Sequence, residues 1–450
     1  MTELTRLLAA HAAHFPADGV SAPVADALAL NLADGLAAIV GGSDAPGVGA
    51  VANLLAAQSA SGEARRIAAA GRYPAIVAAQ INATAGHALD FDDTLDEGGG
   101  MHAGALVHSA ALAVADELGG VSGAAYTSAV SVGLDIAVRL ALSATQDFGW
   151  HRTSAFGVFG VVGAVGRLLK LTQDEFVNAF GIAYSQASGN RQCIADGALS
   201  KRLQAGFAAR DGIIAVQLAR AGLTGASRAF EGADGFFNLY QRGAFNPEII
   251  LGGLGETLLS DRISLKPYPC GRNLHALLDA VFAARARHEG RVIERIEVFG
   301  PERAARLART GWPAHVVEAQ FSVPFVVALA TAEGHTELPA FDAPDTVSDA
   351  VRALAGKVSI HAREGTESDR IAFHYEDGTP HIEQIAATAL GHPSRPLAPE
   401  AVRTKLRSAN RFSGVPIDEG TLDRIFDLAL VLPSLSSTRQ ITDALNDQTA

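Results

Sequence analysis

Two adjacent cations, Lys201 and Arg202, interrupt a long run of Ala-, Gly- and Val-rich sequence. The residues that follow them carry apolar side chains at helical spacing, and Gly222 is placed to end that helix. The pair is therefore predicted near the start of a buried helix, where free N–H groups and the helix dipole favour an anion. The alternative is that both side chains are solvated, as most Lys and Arg side chains are.

A second polar cluster is the segment HALDFDDTLDEGGGMHAG, residues 87–104. If the preceding helix continues into it, His87, Asp90 and Thr94 lie on one helix face. The glycine-rich loop that follows would then present His102. Asp and His are also metal ligands, but their spacing here matches none of the zinc or calcium patterns. The remaining alternative is a helix C-terminus with capping polar residues and a hydrogen-bonded histidine.

The segment GWHRTSAFG contains His151 immediately before the predicted start of another helix. Thr153 or Ser154 is the predicted N-cap residue, which places the imidazole in a loop at the helix N-terminus. This position suits a general acid or base, because histidine changes its charge near neutral pH. The alternative is an ordinary histidine in a surface loop.

A fourth polar cluster lies in residues 266–280, KPYPCGRNLHALLDA, where prolines rigidify a turn that bears Tyr268, Arg272 and His275. The four clusters together supply cations, histidines and an aspartate, without a nucleotide-binding loop or a Ser-His-Asp signature. Cations would clamp carboxylates, while His or Asp would take a proton from the carbon next to a carboxylate. The set suits a di- or tricarboxylate. The residues expected to converge on one cleft between two domains are Asp90, His102, His151, Lys201 and His275.

The first half of the chain is predicted to be helical throughout. Ser122 is a candidate N-cap residue, and Thr172 with Glu175 forms a capping-box pattern. Glycines recur at helical spacing in AFGVFGVVGAVGRLLKL, each at a cost of roughly 1 kcal/mol relative to alanine. Close packing between helices would offset that cost, so the sequence predicts a large, compact all-α domain.

The character of the sequence changes after the glycine-rich segment 241–256, which we interpret as a linker. Alternating apolar and polar residues in RVIERIEVFGP and KVSIHAR predict strands with one solvent-exposed face. Asp377-Gly378 separates two further alternating runs and predicts a hairpin. Helical patterns lie between these strands, and helices alone follow Leu397. These patterns predict an α+β domain after the helical one.

The composition is that of an ordinary globular protein, with 48% hydrophobic residues, 19% charged residues and a formal charge of −12. The absence of a basic tract argues against nucleic acid or a membrane as a partner, but not against a small anionic substrate. The two cysteines are too few for a disulfide framework or for an iron–sulfur cluster held by three or four thiolates. With no signal-peptide pattern and no run of about 18 apolar residues, we expect a cytoplasmic protein.

These clusters resemble the MmgE/PrpD family, which includes 2-methylcitrate dehydratase, cis-aconitate decarboxylase and iminodisuccinate epimerase. The resemblance is carried by HALDFDDT, GWHRTSAFGVFG, SQASGNRQCIADGALSKRLQAGFAAR and KPYPCGRNLHALLDA, and FSVPFVVALA and GHPSRPLAPEAVRTKLR extend it over nearly the whole chain. It implies a mainly α fold with an α+β second domain. A large all-helical domain would comprise residues 1–255 and 397–450, and a smaller α+β lid domain residues 256–396. A homodimer is also implied.

The resemblance further implies an active site that draws on every cluster. The family's site positions fall on Asp90, Thr94, His102, His151, Lys201 and His275. Arg202 and Arg272 match family-typical basic positions beside them, and Tyr268 is added as a further substrate-binding candidate. Members of the family act on small polycarboxylates without a metal, so no metal and no cofactor are expected.

Three features depart from the family pattern: the glycine-rich loop before His102 is slightly longer than in the decarboxylase pattern, and residues differ at two places. The family usually has His-Pro-Ser where this chain has His102-Ala103-Gly104, and some members have His where this chain has Gln204. The expected function is a metal-independent lyase acting on a small di- or tricarboxylate, similar to 2-methylcitrate dehydratase, by proton abstraction next to a carboxylate. The alternatives are an epimerase or a decarboxylase in the same pocket, and a non-catalytic acid-binding relative, which the departures suggest.

Overall fold

The structure is a computed structural model that describes residues 3–288, 290–301, 311–363, 365 and 367–445. Contacts between Cα atoms divide the chain into two compact units. Unit 1 comprises Met1–Leu265 and Ala398–Ala450, and unit 2 comprises Lys266–Leu397. Unit 1 is therefore built from both ends of the chain, and unit 2 is one continuous insertion.

Unit 1 is helical, and most residues of its longest helices are buried. Its helices are α1 (Leu4–His14), α2 (Ala22–Gly42), α3 (Val48–Gln58), α4 (Ala75–Gly86), α5 (Ala103–Glu117), α6 (Gly123–Ser143), α7 (Arg152–Leu168), α8 (Gln173–Gln186), α9 (Gln192–Ala195), α10 (Ser200–Arg220), α11 (Phe236–Tyr240), α12 (Pro247–Leu251) and, after unit 2, α18 (Pro399–Phe412), α19 (Glu419–Leu430) and α20 (Arg439–Ala444). Strands β1 (Ala64–Arg65) and β2 (Arg72–Tyr73) form a short antiparallel pair.

The helix caps and the close packing at glycines in unit 1 agree with the predictions from the sequence. The Ser122 side chain caps α6, and Thr172 with Glu175 forms both halves of a capping box on α8, which confirms both predictions. The glycines of α7 lie where helices approach closely: a Cβ on Gly160 would lie 2.9 Å from the carbonyl oxygen of Gly133 in α6. This approach requires glycine and offsets its cost in helix propensity.

Helices α2 and α6 are long and apolar enough to cross a membrane by length and composition. The protein itself covers 83% and 89% of their apolar windows, as expected of core helices. The segment 241–256 lies within unit 1 and does not act as a linker between the two units. It contains α12, and the fully buried Arg139 of α6 donates hydrogen bonds to the carbonyl groups of Ile250 and Gly252.

Unit 2 is an α+β unit. Its helices are α13 (His275–Ala284), α14 (Val316–Phe321), α15 (Val323–Glu333), α16 (Leu338–Asp342) and α17 (Asp349–Ala355), and its strands are β3 (Ile293–Gly300), β4 (Val358–Ala362), β5 (Arg370–Tyr375) and β6 (Pro380–Gln384). The sheet order is β4-β3-β5-β6, with β3 and β4 parallel and the other pairs antiparallel. Gly378, at φ +79°, forms the turn of the predicted β5–β6 hairpin. The predicted fold class, mainly α with an α+β second domain, is confirmed.

Candidate active site

The segment after α4 turns sharply. Helix α4 ends at Gly86, His87 is its C-cap residue, and Asp90 has a left-handed backbone with φ +52°. The predicted placement of His87, Asp90 and Thr94 on one helix face is therefore wrong. A left-handed conformation costs a non-glycine residue on the order of 1 kcal/mol and persists only where the surroundings enforce it. Such strain is typical of functional sites, which directs attention to the groups around Asp90.

Asp90 forms a short ion pair with Lys201, the second residue of α10. The distance from Lys201 Nζ to Asp90 Oδ1 is 2.6 Å, and the two residues are 8% and 3% exposed. The cation thus lies at a helix start, as the sequence analysis expected. Arg202 is also buried and donates a hydrogen bond of 2.7 Å to the carbonyl oxygen of Pro46. Its role as a carboxylate clamp stays a prediction.

Three imidazoles and a carboxylate, His87, His102, His151 and Asp92, form what we call the imidazole cluster. His87 Nδ1 lies 2.7 Å from Asp92 Oδ2, and His102 Nδ1 lies 3.5 Å from Asp92 Oδ1. The ring centroid of His87 is 4.9 Å from that of His102 and 5.3 Å from that of His151. His87 therefore lies between the two histidines that were predicted to act on the substrate.

His102 is held in one orientation by its neighbours. Its Nδ1 lies 2.6 Å from the carbonyl oxygen of Asp93, which only accepts, so Nδ1 carries the proton. Its backbone N–H donates to the hydroxyl of Thr153 at 3.1 Å. Gly99 and Gly100, both at φ +75°, form the turn that leads to it. The predicted proton exchange with a substrate would therefore involve Nε2.

His151 itself is the N-cap residue of α7, so the prediction of Thr153 or Ser154 at that position is wrong. Its Nδ1 is buried and has no hydrogen-bond partner among the residues that the structure describes. A side-chain hydrogen bond between the His151 ring and Gln204 raises the pKa of His151. Burial outweighs it and, with the charges of His87 and Lys201, holds the pKa of His151 well below its usual range. His151 is therefore neutral near pH 7 and able to accept a proton.

Gln204, one of the departures from the family pattern, is part of this site. Its Oε1 accepts the backbone N–H of Asn190 at 2.9 Å, and its Nε2 donates to the Asn190 carbonyl at 3.0 Å. The same Nε2 lies 3.0 Å from Cys193 Sγ. These bonds hold the amide in place, and the same side chain forms a hydrogen bond with His151, so the residue at this position acts directly on a candidate catalytic ring.

Asp93, the residue after Asp92 of the imidazole cluster, has a carboxyl group with a raised pKa. Burial, followed by the nearby charge of Asp92, raises its pKa to about 7, although the Gly104 N–H donates to Asp93 Oδ2 at 2.9 Å. A Cβ on Gly104 would lie 2.7 Å from that oxygen, so glycine is required for the carboxyl group to approach α5. Gly104, which stands where the family usually has Ser, therefore permits this close contact.

Thr94 is fixed by backbone hydrogen bonds to Ser264 in both directions, at 2.8 and 2.7 Å. Its side chain is fully buried, and in the described part of the chain its hydroxyl has no hydrogen-bond partner. A buried hydroxyl without a partner carries a desolvation cost that a ligand would relieve. This supports the prediction that Thr94 binds substrate.

The remaining predicted residues lie in unit 2 and form a group of their own. His275 is fully buried, and its Nε2 lies 3.2 Å from the Cys270 carbonyl oxygen, so Nε2 carries the proton. Arg272 reaches His275 Nδ1 at 3.4 Å and donates to the Leu390 carbonyl at 2.7 Å. The Tyr268 ring lies 5.1 Å from the ring of His275. The convergence of this group with the site of unit 1 stays a prediction.

The imidazole cluster also contains residue types that bind metals. One ligand atom each of His87, Asp92 and His102 lies within 4.8 Å of the others. Nδ1 of His87 is bonded to Asp92 and Nδ1 of His102 to a carbonyl oxygen, so on both rings Nδ1 carries the proton and a metal could be bound only through Nε2. The charge of Lys201, which acts on His151, further disfavours a cation here.

Several residues of this site were not predicted from the sequence. His87 was placed in the same polar cluster as Asp90 but was not predicted to act in the site, and Asp92 belongs to the same motif and was not singled out. Lys405 of α18 was missed as well: its ammonium donates to Asp34 at 2.6 Å and to the Phe91 carbonyl oxygen. The signal there was a lysine on the buried face of an amphipathic helix.

The comparison with protein families identifies this arrangement. The MmgE/PrpD N-terminal domain matches residues 6–248, and the MmgE/PrpD C-terminal domain matches residues 268–424. The chain therefore belongs to the MmgE/PrpD family, as the sequence motifs indicated, and it is an enzyme of the lyase type.

Several curated relatives are similar along most of their length. A cis-aconitate decarboxylase-like protein of Aspergillus oryzae is 26% identical over 91% of this chain and 90% of its own. A cis-aconitate decarboxylase of Aspergillus terreus is 26% identical over 82% of this chain and 81% of its own. The cis-aconitate decarboxylase of Mus musculus is 28% identical over 75% of this chain and 72% of its own.

Proposed function

We propose that this protein is a metal-independent lyase that acts on a small di- or tricarboxylate by moving a proton at a carbon next to a carboxylate. The observation that carries the proposal is the buried Lys201–Asp90 pair, at 2.6 Å, beside the neutral ring of His151. A cation in surroundings that exclude water stabilises negative charge on a substrate far more strongly than one in solvent. A neutral imidazole beside it accepts a proton.

Decarboxylation of a cis-aconitate-like acid is the first reaction to test, because the relatives described above carry that name. In this reaction the bond between carbon and the departing carboxylate breaks, carbon dioxide leaves, and the electron pair stays on carbon. A proton from the site then completes the product. We assign the neutralisation of the developing charge to Lys201 and the delivery of the proton to the imidazole cluster.

Dehydration of a 2-methylcitrate-like acid is the second candidate. Here His151 would take a proton from the carbon next to a carboxylate, and the hydroxyl group would leave as water with a proton from an acid such as His102. The observation that favours it is the neutral state of His151, since decarboxylation has no need of a base. Epimerisation needs the same first step and returns the proton to the other face of the carbon.

A substrate panel followed by proton NMR in D2O distinguishes these reactions. We expect turnover of at least one citrate-like, aconitate-like or aminodicarboxylate compound. Loss of carbon dioxide identifies a decarboxylase, formation of an alkene with water a dehydratase, and deuterium incorporation with inversion an epimerase. Binding without turnover or exchange on any acid would contradict the proposal and favour a non-catalytic acid-binding protein. A homodimer and a cytoplasmic location remain predictions of the family resemblance and of composition.

A further inference from the structure

His87 is the least expected member of the imidazole cluster. It is 1% exposed, and its Nδ1 lies 2.7 Å from Oδ2 of Asp92, which is fully buried. A carboxylate only accepts hydrogen bonds, so the proton of this bond lies on His87 Nδ1. Pairing of a buried imidazole with a buried carboxylate fixes both its ring orientation and its tautomer.

The ring of His87 connects Asp92 to both candidate proton-transfer histidines. Its plane lies at 29° to that of His151 in a stacked arrangement and at 58° to that of His102. Asp92 Oδ1 also lies 3.5 Å from His102 Nδ1. A change in the position or charge of His87 would therefore reach both rings directly.

We propose that His87, oriented by Asp92, is a positioning residue that packs against His151 and keeps it in the neutral, proton-accepting state. The proposal deepens the proposed function, and it rests on that function where it assigns a proton transfer to His151. The protonation state of His151 is independent of the proposed function, because it exists in the protein without substrate.

The groups that act on His151 set the sign of the effect. The charges of His87 and Lys201 lower its pKa, while the Asp92 carboxylate and the Gln204 hydrogen bond raise it, and burial lowers it most. His87 itself contacts Asp92 and His102. Without the His87 ring, one opposing charge disappears and the carboxylate of Asp92 remains, so His151 should bind a proton more readily.

The chain offers a matched control in His11, another buried histidine paired with a buried carboxylate. His11 Nε2 of α1 lies 2.9 Å from Asp135 Oδ2 of α6, and both side chains are as buried as those of His87 and Asp92. His11→Gln and His87→Gln each remove a buried histidine from a buried carboxylate, and both should reduce stability, although Asp135 keeps its ion pair with Arg139. Only the second variant removes a ring that contacts His151.

The experiment is a titration of 15N-histidine-labelled protein by NMR, with the His151 signal assigned from its loss in His151→Gln. We expect the His151 midpoint to rise by about one unit or more in His87→Gln and to stay unchanged in His11→Gln. On the best substrate, kcat/KM of His87→Gln should fall at least about tenfold, with its acidic limb moved to higher pH. An unchanged His151 midpoint in His87→Gln would overturn the proposal.

Asp92→Asn provides a second test, because it keeps the shape of the side chain if His87→Gln does not fold. We expect a strongly deshielded N–H proton, assigned to His87 Nδ1, in the parent protein and its loss in Asp92→Asn. Persistence of that proton in Asp92→Asn would also contradict the proposal. Because both NMR readouts need no turnover, failure of the whole substrate panel would sink the proposed function and leave this inference testable.

Discussion

Two buried Lys–Asp ion pairs hold Asp90 and Phe91, adjacent residues of the same turn. The groups that surround the two ion pairs differ. Lys201 pairs with Asp90 and Lys405 pairs with Asp34, each at 2.6 Å. The Lys405 ammonium also donates to the Phe91 carbonyl oxygen and lies 4.1 Å from the centroid of the Phe91 ring. The turn that presents Asp90 is therefore held on one side by α10 and on the other by α18.

The difference between the pairs lies in burial and in the neighbouring groups. The Lys405 and Asp34 side chains are 3% and 0% exposed, against 10% and 4% for Lys201 and Asp90. Around Lys405 the structure supplies acceptors and an aromatic ring, whereas the charge of Lys201 acts on the neutral ring of His151. The same interaction thus anchors the turn in one place and, in our proposal, provides a charge for substrate in the other.

The largest expected effect on activity is that of Lys201→Met, which removes the cation and keeps most of the side-chain length. We expect kcat to fall by about 10²-fold or more, as is typical when one electrostatic stabiliser is lost. Stability should fall less than in Lys405→Met. Steady-state kinetics and denaturant unfolding on the same samples measure both quantities. Unchanged kinetics would remove Lys201 from the site.

Lys201→Arg sharpens this result. If Lys201 only neutralises charge, arginine should retain part of the rate, because it keeps the cation. If Lys201 also exchanges a proton, arginine should be as inactive as methionine, because a guanidinium does not give up its proton. A rate equal to that of the parent protein would exclude any role for the size or proton of the lysine ammonium.

Lys405→Met should affect mainly stability. It takes the cation away from a fully buried carboxylate, and breaking a buried pair in this way costs about 3–5 kcal/mol. Denaturant unfolding measures this loss, and kcat of the folded protein should change less than in Lys201→Met. As a control, Asp34→Leu with Lys405→Met removes both charges and should recover part of the stability. Equal losses of kcat in Lys201→Met and Lys405→Met would abolish the distinction between the two pairs.

Asp93 offers a smaller, pH-dependent test on the Lys405 side of the turn, since the charge of Asp34 contributes to its raised pKa of about 7. A carboxyl group with a raised pKa in the folded state stabilises the fold at low pH, and this stability is lost as pH rises from about 4 to about 7. Asp93→Asn has no such group. Its stability relative to the parent should therefore increase over this range, by up to roughly 4 kcal/mol. A difference that does not vary with pH in denaturant unfolding would contradict the raised pKa.

The smallest expected effect is that of a chelator. If the Lys201 side of the turn works by proton transfer, incubation with EDTA should leave kcat unchanged, because proton transfer between side chains and substrate needs no metal ion. Activity assays before and after EDTA, with stability followed in parallel, test this. Loss of activity that one divalent metal restores would show that the cluster binds that metal.

Local patterns in the sequence were reliable where neighbouring residues decide the outcome. The capping box at Thr172 and the hairpin at Asp377-Gly378 depend on residues a few positions apart, and both are present. The prediction failed after α4, because the helical spacing of side chains continues past Gly86 whereas the helical backbone ends there. Asp90 adopts a left-handed conformation there, which its contacts with Lys201 and the neighbouring pair of Lys405 with Phe91 enforce.

The sequence by itself determined the fold class, the family and the side chains that could handle a carboxylate, because these follow from composition, periodicity and motifs. The tertiary structure decided which acids and bases are partners. Lys201 and Asp90 are 111 positions apart, and Lys405 and Asp34 are 371 apart, so no local spacing predicts either pair. The place of His87 between His102 and His151, and the neutral state of His151, arise from burial and from charges brought together only when the helices pack.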